Sequence, residues 1–309
     1  MTDLAIVYEH PEWFKPLFAA LERRGVDYAA TTPDGAWDPA GTPPPARVVF
    51  NRIAMSAFLR TDAGSGGVPG EHPIFFATAL FDHWRRAGAR VVNGADVLAI
   101  DASKARQLSL LAALGLAIPE TRVVYRAADL AAAAQTIGFP LVVKANIGGA
   151  GAGIVRFDNA SELRAVIAAG ELPTSVDGVL LVQDYVPARG GLVTRIETLD
   201  RRYLYALSIA GGGAFDLCPA DACVAEGTPI QLSATEPPAA LRDAAERIAT
   251  AMNLDVGGVE VMIDDRDGVP RFYDINGLSN FVAKPLEVLG WDPHDRLVDY
   301  LIRQIEEAR

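Results

Sequence analysis

The sequence predicts an α/β protein of three units: a parallel-sheet domain over residues 1–101, a mixed α+β domain over 102–186, and an antiparallel-sheet domain over 187–309. Three observations carry this. Strand-like and helix-like runs alternate through the first hundred residues, which is the pattern of a parallel sheet covered by helices. A strand, a glycine-rich stretch and a second strand follow one another at 141–157. From residue 187 to Asn276 strand patterns dominate, and a glycine-bearing turn between two of them signals a hairpin.

Taken in order, "LAIVY" (4–8) is apolar enough for a strand buried on both faces. "PEWFKPLFAALERRG" follows as a helix stopped by Gly25, and "VDYAA" is strand-like again. "RVVFN" (47–51) is a strand, the glycine-rich 61–73 a connection, 74–87 a helix. The second unit opens near Ala102 with a helix to 114. It continues with "TRVVY", an Ala-rich helix at 127–137, "FPLVVKAN", a helix at 160–169 and the strand "GVLLVQDY". In the third unit a helix at 236–252 interrupts the strands, and a last helix covers 293–307.

At 309 residues the chain is long enough for two or three domains and a sizeable core. No run of eighteen apolar residues occurs, and "MTDLAIVYEH" lacks the basic start and apolar stretch of a signal peptide, so the expectation is a cytoplasmic protein. Cys218 and Cys223 are too few for a disulfide framework or a four-cysteine zinc site and read as reduced structural thiols. The net charge of −11, from 28 basic and 39 acidic side chains, disfavours nucleic acid and anionic membrane as partners. Any polyanionic ligand must then be held by a local cluster of positive charge or by metal ions. Lysine is scarce: Lys15, Lys104, Lys144 and Lys284 stand against 24 arginines. The few retained point to places where a compact, flexible ammonium is needed.

The stretch "KANIGGAGAGIVRF" (144–157) fits neither a P-loop, which needs Lys-Ser/Thr after its glycines, nor a dinucleotide fingerprint, which needs a helix there. A glycine-rich hairpin tip can still lay backbone N–H groups against phosphates, with Lys144 supplying charge. A flexible hairpin with an exposed lysine is the alternative reading.

In "RFYDINGLSNF" (271–281), strand alternation places Phe272, Asp274 and Asn276 on one face. The partner strand is "VGGVEVMI" (256–263). A three-residue loop of Arg266, Asp267 and left-handed Gly268 sets Glu260 opposite Asp274 and Gly258 opposite Asn276. Facing carboxylates destabilise a sheet unless they share a proton or a cation. With the Asn276 amide beside them, magnesium is the natural candidate, because it takes hard oxygen ligands and leaves positions for phosphates. Exposed carboxylates tolerating one another remain the alternative.

These residues resemble the ATP-grasp superfamily across roughly 75–305. Four segments come in its order: "DASKARQLSLLAALGLAIPET", "FPLVVKANIGGAGAG", "LLVQDYVP" and "VEVMI…FYDIN". "FNR" and "GARVVNGADV" look like the domain that precedes it. The nearest subgroup is the ribosomal-protein glutamate ligases and similar peptide-bond-forming ligases, with D-alanine–D-alanine ligases more distant. The resemblance implies an ATP-grasp fold whose central unit is a lid.

It also implies roles. Lys104 and Lys144 would contact ATP phosphates, and Gly148, Gly149, Gly151 and Gly153 would form the phosphate lid. Gln183 and the backbone of Asp184, Tyr185 and Val186 would hold the adenine. Glu260, Asp274 and Asn276 would bind two Mg2+ ions, with Mn2+ as a substitute. The family usually has Glu where Asp274 stands and often Pro where Ser279 stands. It also has an acidic ribose ligand soon after the hinge, for which only Glu197 or Asp184 offer themselves. Its acyl-steadying arginine has no obvious counterpart in "LYALSIAGGG", so Arg195 is the first choice for the catalytic and carboxylate-binding arginine and Arg52 the second.

The expected activity is ATP-dependent joining of a small-molecule carboxylate and an amine through an acyl phosphate, on an amino acid or small peptide-like substrate. It needs positioning and charge neutralisation and no covalent enzyme intermediate. His10, His72, His83 and His294 are scattered and read as structural. A phosphotransferase and a non-catalytic ATP-binding module stay open as alternatives, as does a homo-oligomeric state. A Rossmann-type oxidoreductase is disfavoured by the strand after the glycines.

Overall fold

Three sheets organise the chain. The computed structural model describes residues 2–9, 11–33, 35–54, 73–148, 153–211 and 230–309. In the first unit β1 (Leu4–Tyr8), α1 (Lys15–Arg23), β2 (Tyr28–Thr31), β3 (Val48–Arg52), α2 (Pro73–Arg86), β4 (Arg90–Val92) and α3 (Ala95–Asp101) follow in turn. The strands are parallel in the order β2-β1-β3-β4. Leu4 through Val7 are fully buried, as expected of a parallel strand covered on both faces. From β1 the chain goes to one side for β2 and to the other for β3, so the sheet has its topological switch there. Tyr8 and Arg52 stand at the carboxyl ends of the two strands that flank it.

The second unit comprises α4 (Lys104–Ala113), β5 (Thr121–Val124), α5 (Ala127–Ile137), β6 (Leu141–Ala145), β7 (Ile154–Phe157), α6 (Ala160–Ala169) and β8 (Leu180–Asp184). Its sheet runs β5-β8-β6-β7 with every pair antiparallel. β6 and β7 pair from Leu141–Phe157 to Lys144–Ile154, the strand–glycines–strand geometry expected from sequence. Leu130 and Ala134 of α5 and Leu163 of α6 pack with Leu141, Val143, Phe157 and Val182 of the sheet in a core of their own. Asn159 caps α6, and left-handed Gly170 ends it.

The third unit contains β9 (Ala188–Leu199), β10 (Arg202–Ala210), β11 (Gln231–Thr235), α7 (Ala239–Met252), β12 (Val256–Asp264), β13 (Pro270–Asn276), α8 (Pro285–Val288) and α9 (Pro293–Glu307). The sheet order is β11-β10-β9-β12-β13, all antiparallel. Its core reaches beyond its own residues. Leu108 and Leu111 of α4 pack with Ile248, Val259, Phe272 and Ile275. Leu4, Ile6 and Leu21 of the first unit share a second cluster with Leu207, Leu297 and Leu301. Among the described residues no helix is long and apolar enough to cross a membrane.

The β12–β13 hairpin holds Glu260 opposite Asp274 and Gly258 opposite Asn276, as the sequence predicts, but by a different route. The Asp264 N–H donates to Val269 O and the Gly268 N–H to Asp264 O. The loop therefore has four residues, 265–268, where three were expected, with Gly268 left-handed at φ 76°. A bulge then inserts Tyr273, since Val261 pairs with Phe272 and Glu260 with Asp274. The two deviations cancel in register but not in facing. Phe272 joins the core beside Ile275, Val259 and Val261, so it does not share a face with Asp274, contrary to strict alternation.

Candidate functional site

Two rows of paired residues cross β9, β12 and β13. Arg195, Glu260 and Asp274 form one, and Glu197, Gly258 and Asn276 the other. Glu260 is 7% exposed. Its Oε1 accepts from Arg195 Nη1 at 3.1 Å and Asn276 Nδ2 at 3.2 Å, and its Oε2 accepts from the Tyr273 hydroxyl at 2.7 Å. The bulge aims Tyr273 at this carboxylate. Burial raises the Glu260 pKa and the facing Asp274 adds to it, while Arg195, Tyr273 and Lys104 pull it back. The predicted metal-ligand residues thus come together as two facing carboxylates and an amide. Among the described residues no three His, Cys, Asp or Glu side chains gather as a cation cluster. Hard oxygens under mutual repulsion fit Mg2+, and a cation would be met by the amide oxygen of Asn276 once its –NH2 leaves Glu260.

The second row depends on Gly258. A Cβ there would stand 2.8 Å from Arg195 Nε and 2.9 Å from Glu197 Oε1. Those two side chains pair at 2.7 Å over the bare backbone. Burial opposes the Arg195 charge, but Glu197 and Glu260 outweigh it and hold the pKa above the ordinary arginine value. All three guanidinium nitrogens are engaged, with Glu197, Glu260 and the Ser279 hydroxyl at 3.4 Å. Arg195 thus ties Glu260 to Glu197 and Ser279, and a second N–H on each of Nη1 and Nη2 is not used by these bonds. Glu197, one of the two candidate ribose ligands, is fully buried beside Arg195 with Oε2 unpartnered.

Lys104 is the first residue of α4, behind the N-cap Ser103, and its ammonium lies 3.0 Å from Asp274 Oδ1. Lys144, 5% exposed at the end of β6, has no ion-pair partner among the described residues. Burial pushes its pKa down to about 7, and the Lys104 charge pushes the same way. Asn146 brings the two lysines together, although nothing in the sequence marked it. Its Oδ1 accepts from Ala105 N at 2.8 Å and Ser103 Oγ at 3.1 Å, while its Nδ2 donates to Asp177 at 2.6 Å. Gly148 is half-buried beyond this point and Gly153 is left-handed at φ 71°. Gly149 and Gly151 lie outside the described residues, as do Cys218, Cys223, His10 and His72.

At the hinge, Gln183 is buried and donates to Thr121 Oγ1 at 2.8 Å. The Asp184 N–H donates to Glu120 O and the Tyr185 N–H to Pro140 O. The Asp184 carboxylate takes Arg266 Nη1 at 3.1 Å, tying the second sheet to the β12–β13 turn. The Tyr185 ring carries Arg156 at 4.0 Å, and Val186 is buried. His83 contacts Thr42 O and His294 contacts Asp292, both away from this cluster. Asp101, also missed in the sequence, accepts from Gly277 N at 2.8 Å, and burial, with Asp274 nearby, pushes its pKa up to about 7. Arg52 stands at the other end of the Ser279 segment. Its Nη2 donates to Ser279 O and, at 2.6 Å, to Asn280 Oδ1.

The family profile of the RimK-like ATP-grasp domain matches residues 101–281. A probable alpha-L-glutamate ligase of Picosynechococcus sp. is 25% identical over 234 residues, covering 75% of this chain and 73% of its own. The ribosomal protein bS6–L-glutamate ligase of Shigella boydii is 27% identical over 214 residues, 65% of this chain and 64% of its own. Among solved structures, the ATP-grasp ligase PsnB with a phosphomimetic variant of its minimal precursor, Mg and ADP has a TM-score of 0.69 at 17% identity. The alignment covers 98% of this chain and 99% of that one. A RimK domain protein from Sphaerobacter thermophilus has a TM-score of 0.68 at 20% identity, covering 97% and 99%. These two likenesses show the fold.

Proposed function

The chain belongs to the RimK-like ATP-grasp family, and from that premise we propose an ATP-dependent carboxylate–amine ligase that forms an amide through an acyl phosphate and releases ADP and phosphate. The observation that carries the site assignment is the opposed Glu260–Asp274 pair with Lys104 at 3.0 Å and Lys144 beside it. Two carboxylates and two ammoniums in one buried patch suit a metal-bound polyphosphate.

Glu260, Asp274 and Asn276 would hold Mg2+, in two ions, with Mn2+ as a substitute. The cation supplies charge neutralisation on the triphosphate. Lys104 and Lys144 bind and orient the phosphates, and Gly148, Gly149, Gly151 and Gly153 would close over them. Arg195 and Tyr273 fix the Glu260 carboxylate so that it need not reorganise when nucleotide binds. Asp184, Tyr185 and Val186 form the adenine hinge beside Gln183. With the Asp184 and Tyr185 N–H groups already bonded, the base would be read by carbonyl oxygens and the Val186 peptide. The three-unit division at 101/102 and 186/187 and a cytoplasmic location go with this reading.

The bS6 ligase is named for adding L-glutamate to a protein, and PsnB was solved with a precursor peptide. Amino acids and small peptides are accordingly the first substrates to try. The test supplies Mg-ATP with pools of both and follows ADP, AMP, phosphate and new masses. Phosphate release that needs both an acid and an amine supports the ligase. A phosphorylated product without an amine requirement would indicate a phosphotransferase, and AMP would contradict the mechanism.

A further inference from the structure

Arg52 is 2% exposed, yet its Nε and Nη1 have no hydrogen-bond partner. No carboxylate stands within ion-pair range of it among the described residues, although a buried guanidinium ordinarily has one. Its guanidinium instead lies 4.9 Å and 5.3 Å from the ring centres of Phe50 and Phe14, while Nη2 is spent on Ser279 and Asn280. Burial lowers its pKa to about 10, against a weaker pull from Glu9 and Glu197, so it stays cationic at neutral pH. Its position adds a second observation. Arg52 ends β3 next to β1, where the sheet order β2-β1-β3-β4 reverses direction, and open α/β sheets bind ligands in the crevice at that point. The Ser279 segment joins this end of the sheet to the metal-ligand patch: Arg52 holds its carbonyl and Arg195 its hydroxyl.

We propose that Arg52 anchors a carboxylate subsite in the switch-point crevice, holding a substrate carboxylate other than the one activated beside Glu260 and Asp274. The inference rests on the ligase reading and deepens it. Two remaining donor nitrogens flanked by aromatic rings suit a small monoanion. Arg195 differs in that each of its three nitrogens already has a protein partner. The carboxylate belongs either to the amine substrate, as an amino acid's α-carboxylate, or to the acid substrate as a second carboxylate. In either case it is bound and not transformed.

The test gives the full-length protein Mg-ATP with amino acids and dipeptides as free acids, each beside its C-terminal carboxamide, and follows ADP release. In the wild type, amidating the recognised carboxylate should raise KM about 10- to 100-fold with kcat little changed. Arg52→Met should raise KM for the free acid by the same factor and make the carboxamide no worse. Arg52→Lys should recover part of the loss. Which substrate shows the KM effect tells whether the acid or the amine supplies the carboxylate. Equal KM for free acid and carboxamide in the wild type would overturn the subsite, and that result needs no variant to fold. ADP release from no acid–amine pair would bring down the ligase reading and the subsite with it.

Discussion

Asn146 Oδ1 lies 2.8 Å from the backbone nitrogen of Ala105, so one amide side chain at the end of β6 caps the first turn of α4. That contact carries Lys144, two residues before it, to the flank of Lys104. The charges that would grip a triphosphate therefore come from two elements of the second unit, α4 and β6, joined at one residue. Asn146→Ala leaves Ser103 Oγ and Asp177 without this partner and should cost about 1–3 kcal/mol of stability. It should also weaken ADP binding by separating the lysines. Urea unfolding and ADP calorimetry measure the two effects, and an unchanged ADP affinity would remove Asn146 from the site.

Gly258 is constrained from above, not by its backbone. Its φ is not left-handed, yet a Cβ would collide with the Arg195–Glu197 pair. Gly258→Ala should displace that pair, loosen Glu260 and cost about 1–3 kcal/mol. ATP turnover should fall further than the stability loss explains. Thermal melts alongside ADP release at saturating Mg2+ separate the two.

Lys144 should make nucleotide affinity depend on pH. Its pKa is down to about 7 without ligand, and bound phosphates would raise it. Above pH 7 binding must then take up a proton, and affinity should fall by up to about tenfold per pH unit until the pKa of the complex is reached. Stability runs the other way. The unfolded chain binds more protons than the folded one between about 7 and 10.5, so this group makes the unliganded protein more stable as pH rises through that window. ADP calorimetry at pH 8 in two buffers of different ionisation enthalpy should reveal proton uptake, and Lys144→Arg should abolish it.

Asp274→Asn separates fold from function. It removes the repulsion that raises the Glu260 pKa but also gives up the Lys104 pair, so stability should change by less than about 1 kcal/mol. Mg2+-dependent turnover should drop at least about 100-fold. A variant that kept its turnover at limiting Mg2+ would exclude Asp274 as a ligand. Asp274→Glu, which restores the commoner residue of the family, should retain activity.

Local chemistry was legible without a structure. The apolar run at 4–8, the helix at Pro293–Glu307, the left-handed Gly268 and the lysine before a glycine hairpin all follow from residues close together in the chain. So did the opposition of Glu260 and Asp274, since one short turn joins their strands. α3 escaped because its seven residues, Ala95–Asp101, are too few to show a helical period. The bulge at Tyr273 escaped because strict alternation has no signal for an inserted residue. The rest was decided by strands distant in sequence. Arg195 and Glu197 meet Glu260 and Gly258 across β9 and β12, and Arg52 meets Ser279 from another sheet. A sequence specifies which side chains a segment offers. Which of them are desolvated together, and so which charges must find partners or ligands, is settled only when the sheets pack.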